Sequence, residues 1–414
     1  MRVPTPFVAI VAALVVIGSV SASHSAEPLT LAAAVDRTLR SNPDLAVLPA
    51  RKLEQNARIE LAGLRPQLAI DAQIENAFGS GAYRDLNGTE TSLSLSQVIE
   101  LGDQRRKRLA AARDGMDTLE LAQTVAQLDV VAETTRRYIE LASEEQQRTL
   151  AAQWLAASQR KTSEVERRVK AARDPEVELV RAQIDLSRAE LSVRAAADRV
   201  RIAQRKLAAM WGATEPDFER IDVDLFNLPN IEALQHRMEK IASSADFLLF
   251  ATEIRQREAE MALAKAQARA SITVSAGIRR LEATGDQAFI AGFSMPLASA
   301  RYAKPRIAEA QARRDGLERE RDAALIKARA SLFEVAARLT HAVEEAQTLR
   351  DDLLPRMETA VTATEYAWQR GRYGYIELTE AQREQLALRI ALITAATNAH
   401  LYRIEIERLT GDSP

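Results

Sequence analysis

The chain has 414 residues, 28% of them charged and only 5% aromatic, and its formal net charge is -2 with basic and acidic side chains interleaved. This balance excludes the strongly basic surface of a nucleic-acid-binding protein. The absence of cysteine excludes disulfide bonds, thiol catalysis, cysteine metal sites and a lipid-modified N-terminal cysteine.

The first predicted element is a cleaved export signal at residues 1–26. Met1-Arg2 precedes an apolar stretch at residues 7–20, and small residues follow, which is the pattern of a secretory signal peptide. We expect cleavage after Ala22, Ser23 or Ala26. No later apolar run is long enough for a transmembrane helix. If the exported chain crosses a membrane, it must therefore do so as a closed β-barrel.

The first repeat, residues 27–215, begins with a helical pattern and continues with predicted strands at about 67–78 and about 89–100. Apolar and polar residues alternate in both strands, which predicts one apolar and one polar face. The residues expected to face a membrane are Leu68, Ile70, Ile74, Leu93 and Leu95. Strands of about ten residues match the length of tilted strands that cross a bilayer.

A helical hairpin completes this repeat. The proline-free stretch from about 103 to 170 predicts a helix roughly 100 Å long, at about 1.5 Å per residue. A break at about 171–177 forms the predicted tip. Beyond it, apolar residues recur at alternating spacings of three and four over residues 179–207. This spacing is that of a coiled-coil seam, so we expect the two helices to pack side by side.

The same plan returns after a linker at residues 216–230. The second repeat, residues 231–414, contains a helix, strands at about 270–281 and about 287–298, and a hairpin whose tip lies at about 370–376. The residues of these strands that we expect to face a membrane are Ile272, Val274, Phe289 and Phe293.

An internal duplication relates the two halves. Residues 179–183 (LVRAQ) recur as residues 378–382 (LTEAQ), 199 positions later, and such a period is the mark of a repeated unit. Each chain then supplies four strands, which are too few for a barrel, because about eight strands are the lower limit. Several chains must contribute, and three would give a twelve-stranded barrel. The predicted fold class is mainly α with a small β part.

These features, taken in order, resemble the TolC-like outer membrane efflux proteins over essentially the whole mature chain. They are the export signal, the duplicated plan of helix, two strands and helical hairpin, and the Ala-Gln pair after each tip. Within that family the chain looks most like the cobalt-zinc-cadmium resistance (CzcC-like) branch. The segments that carry this closer resemblance are Leu207-Ala208-Ala209-Met210-Trp211-Gly212, Gly277-Ile278-Arg279-Arg280 and Thr284-Gly285-Asp286.

The resemblance implies a homotrimer with a twelve-stranded transmembrane β-barrel in the outer membrane of a Gram-negative bacterium and an α-helical tunnel in the periplasm. It also implies a passive exit duct, surrounded by outer membrane lipid, that receives substrates from an inner-membrane efflux pump through a periplasmic adaptor protein. The CzcC-like branch suggests divalent heavy-metal cations as the substrates. No nucleic acid partner is expected.

The hairpin tips are the predicted periplasmic entrance and adaptor docking site. Three copies of each tip carboxylate would form rings of negative charge, which favour cations in pores, although acids at helix N-termini also complement the helix dipole. The candidate residues are Asp174, Pro175, Glu176, Glu178, Gly371, Tyr373, Tyr375, Glu377 and Glu380. The first tip departs from the family pattern, because Arg173-Asp174-Pro175 replaces the commoner glycine-containing turn.

No enzyme is predicted from this sequence. The histidines are scattered and none lies at metal-ligand spacing from another; they are His24, His236, His341 and His400. No segment resembles a nucleophile elbow or a phosphate-binding glycine loop. We therefore predict no catalytic residue, no cofactor and no metal site.

Alternative functions stay open at this stage. A periplasmic adaptor or a structural coiled-coil protein would also be exported, helical and built of hairpins, but it would not need four strands with lipid-facing rows. The same channel would equally suit drug efflux or type I secretion. Two ordinary hairpins on a soluble core would also explain the strands, but the sequence offers no large apolar core to cover them.

Overall fold

The computed structural model describes residues 28–231, 238–297 and 299–411. The predicted export signal with its cleavage positions, and His236, lie outside these ranges. The described chain is mainly helical with one four-stranded sheet, so the predicted fold class is confirmed. Within the same ranges, no helix combines the length and the apolar character that crossing a membrane requires.

Two short helices begin the described chain, α1 (Leu31–Ser41) and α2 (Leu48–Gly63). Asn42 ends α1 and forms the turn, because its side-chain oxygen accepts a hydrogen bond from the backbone N–H of Asp44 at 2.9 Å in the manner of an Asx turn. Short 3₁₀ helices lie at Leu45–Val47, Gly81–Tyr83, Ala209–Trp211 and Met238–Ser243.

The strands form one antiparallel sheet in the order β1-β2-β3-β4. They are β1 (Leu68–Glu75), β2 (Glu90–Ile99), β3 (Ile272–Leu281) and β4 (Gln287–Ser294). The two repeats meet in this sheet, since β2 pairs with β3 along its whole length, from Glu90 opposite Leu281 to Ile99 opposite Ile272. The sheet therefore joins segments that are far apart in the sequence.

Two strands end earlier than the alternation of the sequence predicts. The first was expected to reach about residue 78, but Asn76 and Phe78 adopt left-handed backbone conformations with φ of 59° and 56°, which extended strands do not contain. The fourth was expected to reach about residue 298, but β4 ends at Ser294. Pro296 follows, and its missing N–H cannot extend a ladder.

Long helices lead away from the sheet. In the first repeat they are α3 (Gln104–Lys170) and α4 (Glu176–Ala208). In the second repeat, α5 (Ala245–Ala266) precedes the sheet, and α6 (Ser299–Thr348), α7 (Leu354–Gln369) and α8 (Tyr375–Thr410) follow it. At about 1.5 Å per residue, α3 alone is roughly 100 Å long. The hairpin tips therefore lie far from the strands.

A π-helical turn, Leu349–Leu353, connects α6 to α7. Leu349 and Leu354 are both buried, at 5% and 9% exposed, and they lie five residues apart in the sequence. Buried residues on one face of a regular α-helix recur every three or four residues. The turn accommodates one extra residue. As a result, the apolar faces of α6 and α7 stay aligned against α8.

The predicted seam packs α4 against α3. Its buried residues are Ala182, Ala189, Ala196, Val200, Ala203 and Leu207. Alanine dominates these buried positions, and the larger seam residues between them, Leu179, Leu186 and Val193, are half-buried. The small alanine side chains let the two helix backbones approach closely.

The main hydrophobic core lies where the predicted linker crosses α1 and α3. Leu29 and Ile221 form a parallel bridge, and the hydroxyl of Tyr138 lies 2.8 Å from the backbone oxygens of Leu29 and Asp222. Leu225, within the linker, is 1% exposed and packs in the same cluster as residues of α8. The linker is thus a packed segment that ties the two repeats together.

Candidate functional site

Both hairpin tips use the same backbone turn. In the second tip the N–H of Arg372 donates to the carbonyl of Ala367 at 2.9 Å, and the first tip repeats this bond at equivalent positions. The turn is of the Schellman type, which requires a left-handed residue after the helix. Ala172 and Gly371 fill that position, with φ of 55° and 69°, and they lie 199 residues apart.

Arg168 fastens one tip to the other. Its guanidinium pairs with both oxygens of Asp174 at 2.7 and 2.8 Å and donates to the backbone carbonyl of Gln369 at 3.2 Å. It also lies over the ring of Trp368, 4.8 Å from the centroid. The paired side chains are only 10% and 7% exposed, and the hydrogen bond to Asp174 raises the pKa of Arg168. Bidentate pairs of this kind are strong and directional, so the tips are held side by side.

A second buried polar cluster joins α3, α4 and α8 behind the tips. Asp185 of α4 accepts hydrogen bonds from the hydroxyl of Tyr375 at 3.1 Å and from Arg383 at 2.7 Å. Lys161 of α3 donates to the side-chain oxygen of Gln382 at 3.1 Å and lies 5.2 Å from the ring centroid of Tyr375. Side chains of α8 therefore link the other two helices, because they bind Asp185 of α4 and Lys161 of α3.

Burial controls the protonation of this cluster. It raises the pKa of Tyr375 to about 12 and lowers the pKa of Lys161, while the carboxylate of Asp185 opposes the shift of the lysine. Desolvation penalises the charged form of each group. Tyr375 therefore keeps its hydroxyl proton at neutral pH and remains a donor to Asp185.

The structure places the predicted entrance residues in four different settings. Asp174 and Tyr375 are engaged within the chain, and Pro175 and Gly371 shape the turns. Glu178 is half-buried, and its pKa is raised by burial and by the charge of Asp174. The residues exposed on the tip surface are Glu176, Tyr373, Glu377 and Glu380. The docking and entrance roles of all nine stay predictions.

A surface pocket of about 320 Å³ lies between α4 and α8 beside the tips. Arginines and carboxylates line it together, and they are Arg181, Asp185, Arg188, Glu380 and Arg383. Glu380 is the only predicted carboxylate in its wall among the described residues. This pocket gives the tip surface a charged recess next to the buried cluster.

The apolar face of the sheet is open to solvent in the single chain. The register places Ile70 opposite Leu95, and Val274 opposite Phe293, and directly paired residues project to the same face. The register therefore puts all nine predicted membrane-facing residues on one side. Their exposure rises from 38% at Val274 to 80% at Phe293, while Ile272 is half-buried. Apolar surfaces of this extent mark contacts with a membrane or a partner.

The opposite face of the sheet is polar and is held by an arginine. Arg279 of β3 donates to Ser92 at 2.9 Å and pairs with Glu90 at 2.8 Å and with Glu75 at 3.2 Å. These contacts cross from β3 to β2 and β1. The two faces of the sheet are thus chemically opposite, which suits a wall between lipid and water.

Sequence reasoning missed the residues that lock the tips together. They are Lys161, Arg168, Asp185, Trp368 and Arg383. The one available signal was that Asp185 lies beside a seam position of α4, but many solvated charges do so as well. Their roles come from partners on other helices, which periodicity along one helix does not reveal.

Comparisons with known proteins agree with this architecture. Residues 34–213 match the family model described as outer membrane efflux protein. The cobalt-zinc-cadmium resistance protein CzcC of Cupriavidus metallidurans is 26% identical over 393 residues, which cover 94% of this chain and 91% of that protein. The crystal structure of CusC superposes with a TM-score of 0.75 at 16% identity, covering 92% of both chains. The crystal structure of the outer membrane protein VceC of Vibrio cholerae superposes with a TM-score of 0.74 at 17% identity, covering 92% of this chain and 96% of that one.

The fold is therefore that of the outer membrane channels, with long helical hairpins joined to a small sheet. The predicted resemblance to the outer membrane efflux proteins is confirmed by the family match over residues 34–213 and by the similarity to CzcC over most of the chain. Members of this family are channels and not enzymes, which confirms the prediction that the chain is no enzyme. Among the described residues, no group of three or more potential ligands is arranged to hold a metal ion.

Proposed function

We propose that the protein is a homotrimeric channel in the outer membrane of a Gram-negative bacterium, extending into the periplasm. The exposed apolar face of the sheet carries this proposal, because no described part of the chain covers it. Among the described strands, β1 and β4 each pair on one side only. Three copies would join β4 of one chain to β1 of the next and close twelve strands around a pore.

In this assembly the helical hairpins form the periplasmic tunnel, and the channel is a passive exit duct. An inner-membrane pump supplies the energy, and a periplasmic adaptor docks at the tips. The length of α3 supports this arrangement, because a helix of roughly 100 Å places the tips far from the membrane-embedded strands. The same fold in the outer membrane channels supports it as well.

Purified protein reconstituted in planar bilayers tests the channel. We expect a trimer by native mass spectrometry and ion conductance in steps of constant size. A monomer in detergent that leaves the bilayer without conductance would contradict the proposal and favour the adaptor or structural alternative.

For the cargo, we propose divalent heavy-metal cations. The support is similarity to a protein named for resistance to cobalt, zinc and cadmium, and specificity resides mainly in the pump upstream. Deleting the gene should raise cellular cobalt, zinc or cadmium, and a plasmid copy should restore the original level. If deletion sensitised cells to drugs and left all three metal contents unchanged, the metal cargo would be refuted.

We also propose that exposed carboxylates at the tips make the periplasmic entrance favour cations. Glu176 and Glu377 lie in the first turns of α4 and α8 and are exposed. Replacing both with glutamine should lower the preference for cations over anions in reversal-potential measurements. The matched control replaces Glu190 and Glu320, which are exposed on α4 and α6 away from the tips. If both double variants showed the same preference for cations over anions, the proposal would be refuted.

A further inference from the structure

A groove of about 420 Å³ lies at the helix end of the sheet, where β2 passes into α3. Its wall contains Arg65, which precedes β1, and Arg105 and Arg106 in the first turn of α3. Gln97 and Ile99 also line it, and the register places both on the apolar face of the sheet. The groove therefore begins where the apolar face ends.

The carboxylates in this wall are already engaged. Glu100 is held by Arg108 at 2.6 and 3.3 Å, and Asp103 is held by Arg106 at 2.6 Å. Within the described ranges, neither Arg65 nor Arg105 contacts a carboxylate, and both are exposed. The groove thus presents two uncompensated guanidinium groups.

Some exposed arginines along the helices pair with an acid one turn away, as Arg58 does with Glu54 and Arg313 with Glu309, and such pairs neutralise the surface. Others, such as Arg194 and Arg329, are exposed and have no carboxylate partner in the described part of the chain. The feature that distinguishes Arg65 and Arg105 is therefore their place together in a groove that continues the apolar face of the sheet.

Positive charge continues around the helix end of the sheet. Further exposed basic residues at these junctions are Arg269, Arg301, Lys304 and Arg306, and in the described part of the chain none of them contacts a carboxylate. The side chain of Arg269 lies against Gly102, where an added Cβ would meet its Cδ at 2.5 Å. Gly102 directly precedes Asp103, which lines the groove. Arg269 therefore lies near the groove.

The other end of the sheet is mixed in charge. Its loops and strand ends carry the acidic residues Glu75, Asp85, Glu90, Glu282 and Asp286 together with Arg84, Arg279 and Arg280. Arg279 pairs with Glu75 and Glu90, and Arg280 pairs with Glu282. Among the described residues of the sheet region, basic side chains without a carboxylate partner therefore lie mainly at the end that faces the helices. In the proposed channel, that end meets the periplasmic surface of the outer membrane.

We propose that this groove binds the phosphate group of an anionic phospholipid in the periplasmic leaflet. The inference rests on the proposed membrane position of the sheet. Arg65 and Arg105 would hold the phosphate by charge-assisted hydrogen bonds, and the amide of Gln97 would meet the ester region. The acyl chains would then run along Leu68 and Ile70, which are 60% and 73% exposed on the adjoining apolar face. A free phosphate would use the arginines and leave the apolar face unused.

The test uses the full-length protein, purified in detergent and stripped of lipid. Native mass spectrometry measures the binding of phosphatidylglycerol and of phosphatidylcholine. We expect wild-type protein to prefer phosphatidylglycerol, and the double variant Arg65→Gln/Arg105→Gln to bind it roughly tenfold more weakly, since each basic side chain at a membrane surface contributes to anionic lipid attraction. Arg194→Gln/Arg329→Gln is the matched control, because both residues are exposed on helices away from the sheet.

Further arms separate the possible outcomes. Arg65→Lys/Arg105→Lys keeps the charge and should retain most of the preference, and circular dichroism of all variants checks that they fold. Equal phosphatidylglycerol binding by wild type and the glutamine variant would overturn the inference. Complete competition by millimolar inorganic phosphate would assign the groove to free phosphate and also overturn it. Bilayer conductance of the same preparations reports the channel independently, so a conducting trimer without lipid preference refutes only the lipid site.

Discussion

Ala172 has a left-handed backbone conformation in the first tip, where the second tip has a glycine at the equivalent position. Its φ is 55°, against 69° for Gly371 at the equivalent position. A residue with a Cβ in this region costs about 1 kcal/mol more than glycine. The first tip therefore contains strain that the second tip avoids, and it keeps the same turn because the Arg168 to Asp174 pair holds it closed.

Replacing alanine by glycine in one tip and glycine by alanine in the other should change the free energy of unfolding in different directions. Gly371→Ala is expected to destabilise by about 1 kcal/mol, because open space surrounds the added Cβ and only the backbone conformation resists. Ala172→Gly should leave stability equal or increase it by several tenths of a kcal/mol, since relief of strain is partly offset by a more flexible unfolded chain. Chemical denaturation of both variants measures the difference. Equal destabilisation by both changes would show that the turns are not equivalent.

His400 connects α8 to the linker and makes stability depend on pH. Its Nε2 lies 3.0 Å from the carbonyl of Leu225, the residue is 7% exposed, and its Nδ1 has no partner among the described residues. Burial and, to a smaller extent, Arg403 lower the pKa of His400, while the carbonyl of Leu225 and the charge of Asp224 oppose them. The fold therefore favours the neutral ring.

The sign of this effect follows from the lowered pKa. The stabilisation is present above the ordinary histidine pKa of about 6.5 and is lost as the pH falls through that value toward the lower pKa of the folded state. We expect the melting temperature of the wild type to fall between pH 7 and pH 5, and that of His400→Gln to fall less, because glutamine can donate to Leu225 without titrating. The exposed His341→Gln is the control. If His400→Gln reproduced the wild-type curve, the histidine would not be the sensor.

At the scale of single elements, the π-turn explains how helical segments of different length, α3 in the first repeat and α6 with α7 in the second, both connect the sheet to a hairpin tip. The first repeat reaches its tip through the 67 residues of α3. The second uses segments of 50, 5 and 16 residues, the middle one being the π-turn. Without that turn, the buried stripe of α6 would rotate away from α8 before reaching the tip, because each residue turns an α-helix by about 100°.

Deleting one residue from the π-turn should therefore be tolerated. Removal of the exposed Asp351 is expected to give a regular helix with both buried stripes in place, and the melting temperature should stay within a few degrees of wild type. Removal of the exposed Thr362 from the regular helix α7 is the matched control. Trp368 is 3% exposed, and that deletion would rotate it out of the core. The free energy of unfolding should then fall by several kcal/mol. Similar losses in both deletions would show that the π-turn is not a one-residue insertion.

Elements with strong periodicity were predictable from the sequence. The alternation of the strands placed nine residues on one face, and the register puts them on the same side of the sheet, while their contact with a membrane stays a prediction. The three-four spacing of α4 identified the stripe that packs against α3. Strand ends were less predictable, because Phe78 continues the apolar pattern in sequence, whereas the left-handed backbone of Asn76 has already ended the strand at Glu75. Periodicity records which side is buried and carries no information about single backbone dihedrals.

For the whole molecule, the open edges of the sheet predict how copies meet. Ala72 on β1 and Ala291 on β4 lie on the apolar face, each on a strand with one free edge. Neighbouring strands lie about 4.8 Å apart, and the chain has no cysteine of its own. Cysteines at these two positions should therefore be joined between copies by a short bifunctional maleimide.

The expected product is a ladder of crosslinked dimers and trimers on denaturing gels. Ala72→Cys alone and Ala291→Cys alone are the controls, and both should remain monomers under denaturing conditions. If the double variant in membranes also remained a monomer, closure of the barrel through β4 and β1 would be wrong. The experiment reports the arrangement of copies and does not depend on conductance.

The sequence by itself determined the repeat, the helix and strand faces, the tips and the family resemblance. All of these follow from local patterns: apolar residues at every second position in strands, apolar residues three and four positions apart in helices, and the glycine and proline residues that interrupt these patterns. The tertiary structure alone decided which partners the charged side chains meet, such as Trp368 for Arg168 and Gln382 for Lys161. It also left Arg65 and Arg105 without a carboxylate partner among the described residues, beside an apolar face. Such pairs depend on the register between helices and on the meeting of distant segments, and local patterns contain neither.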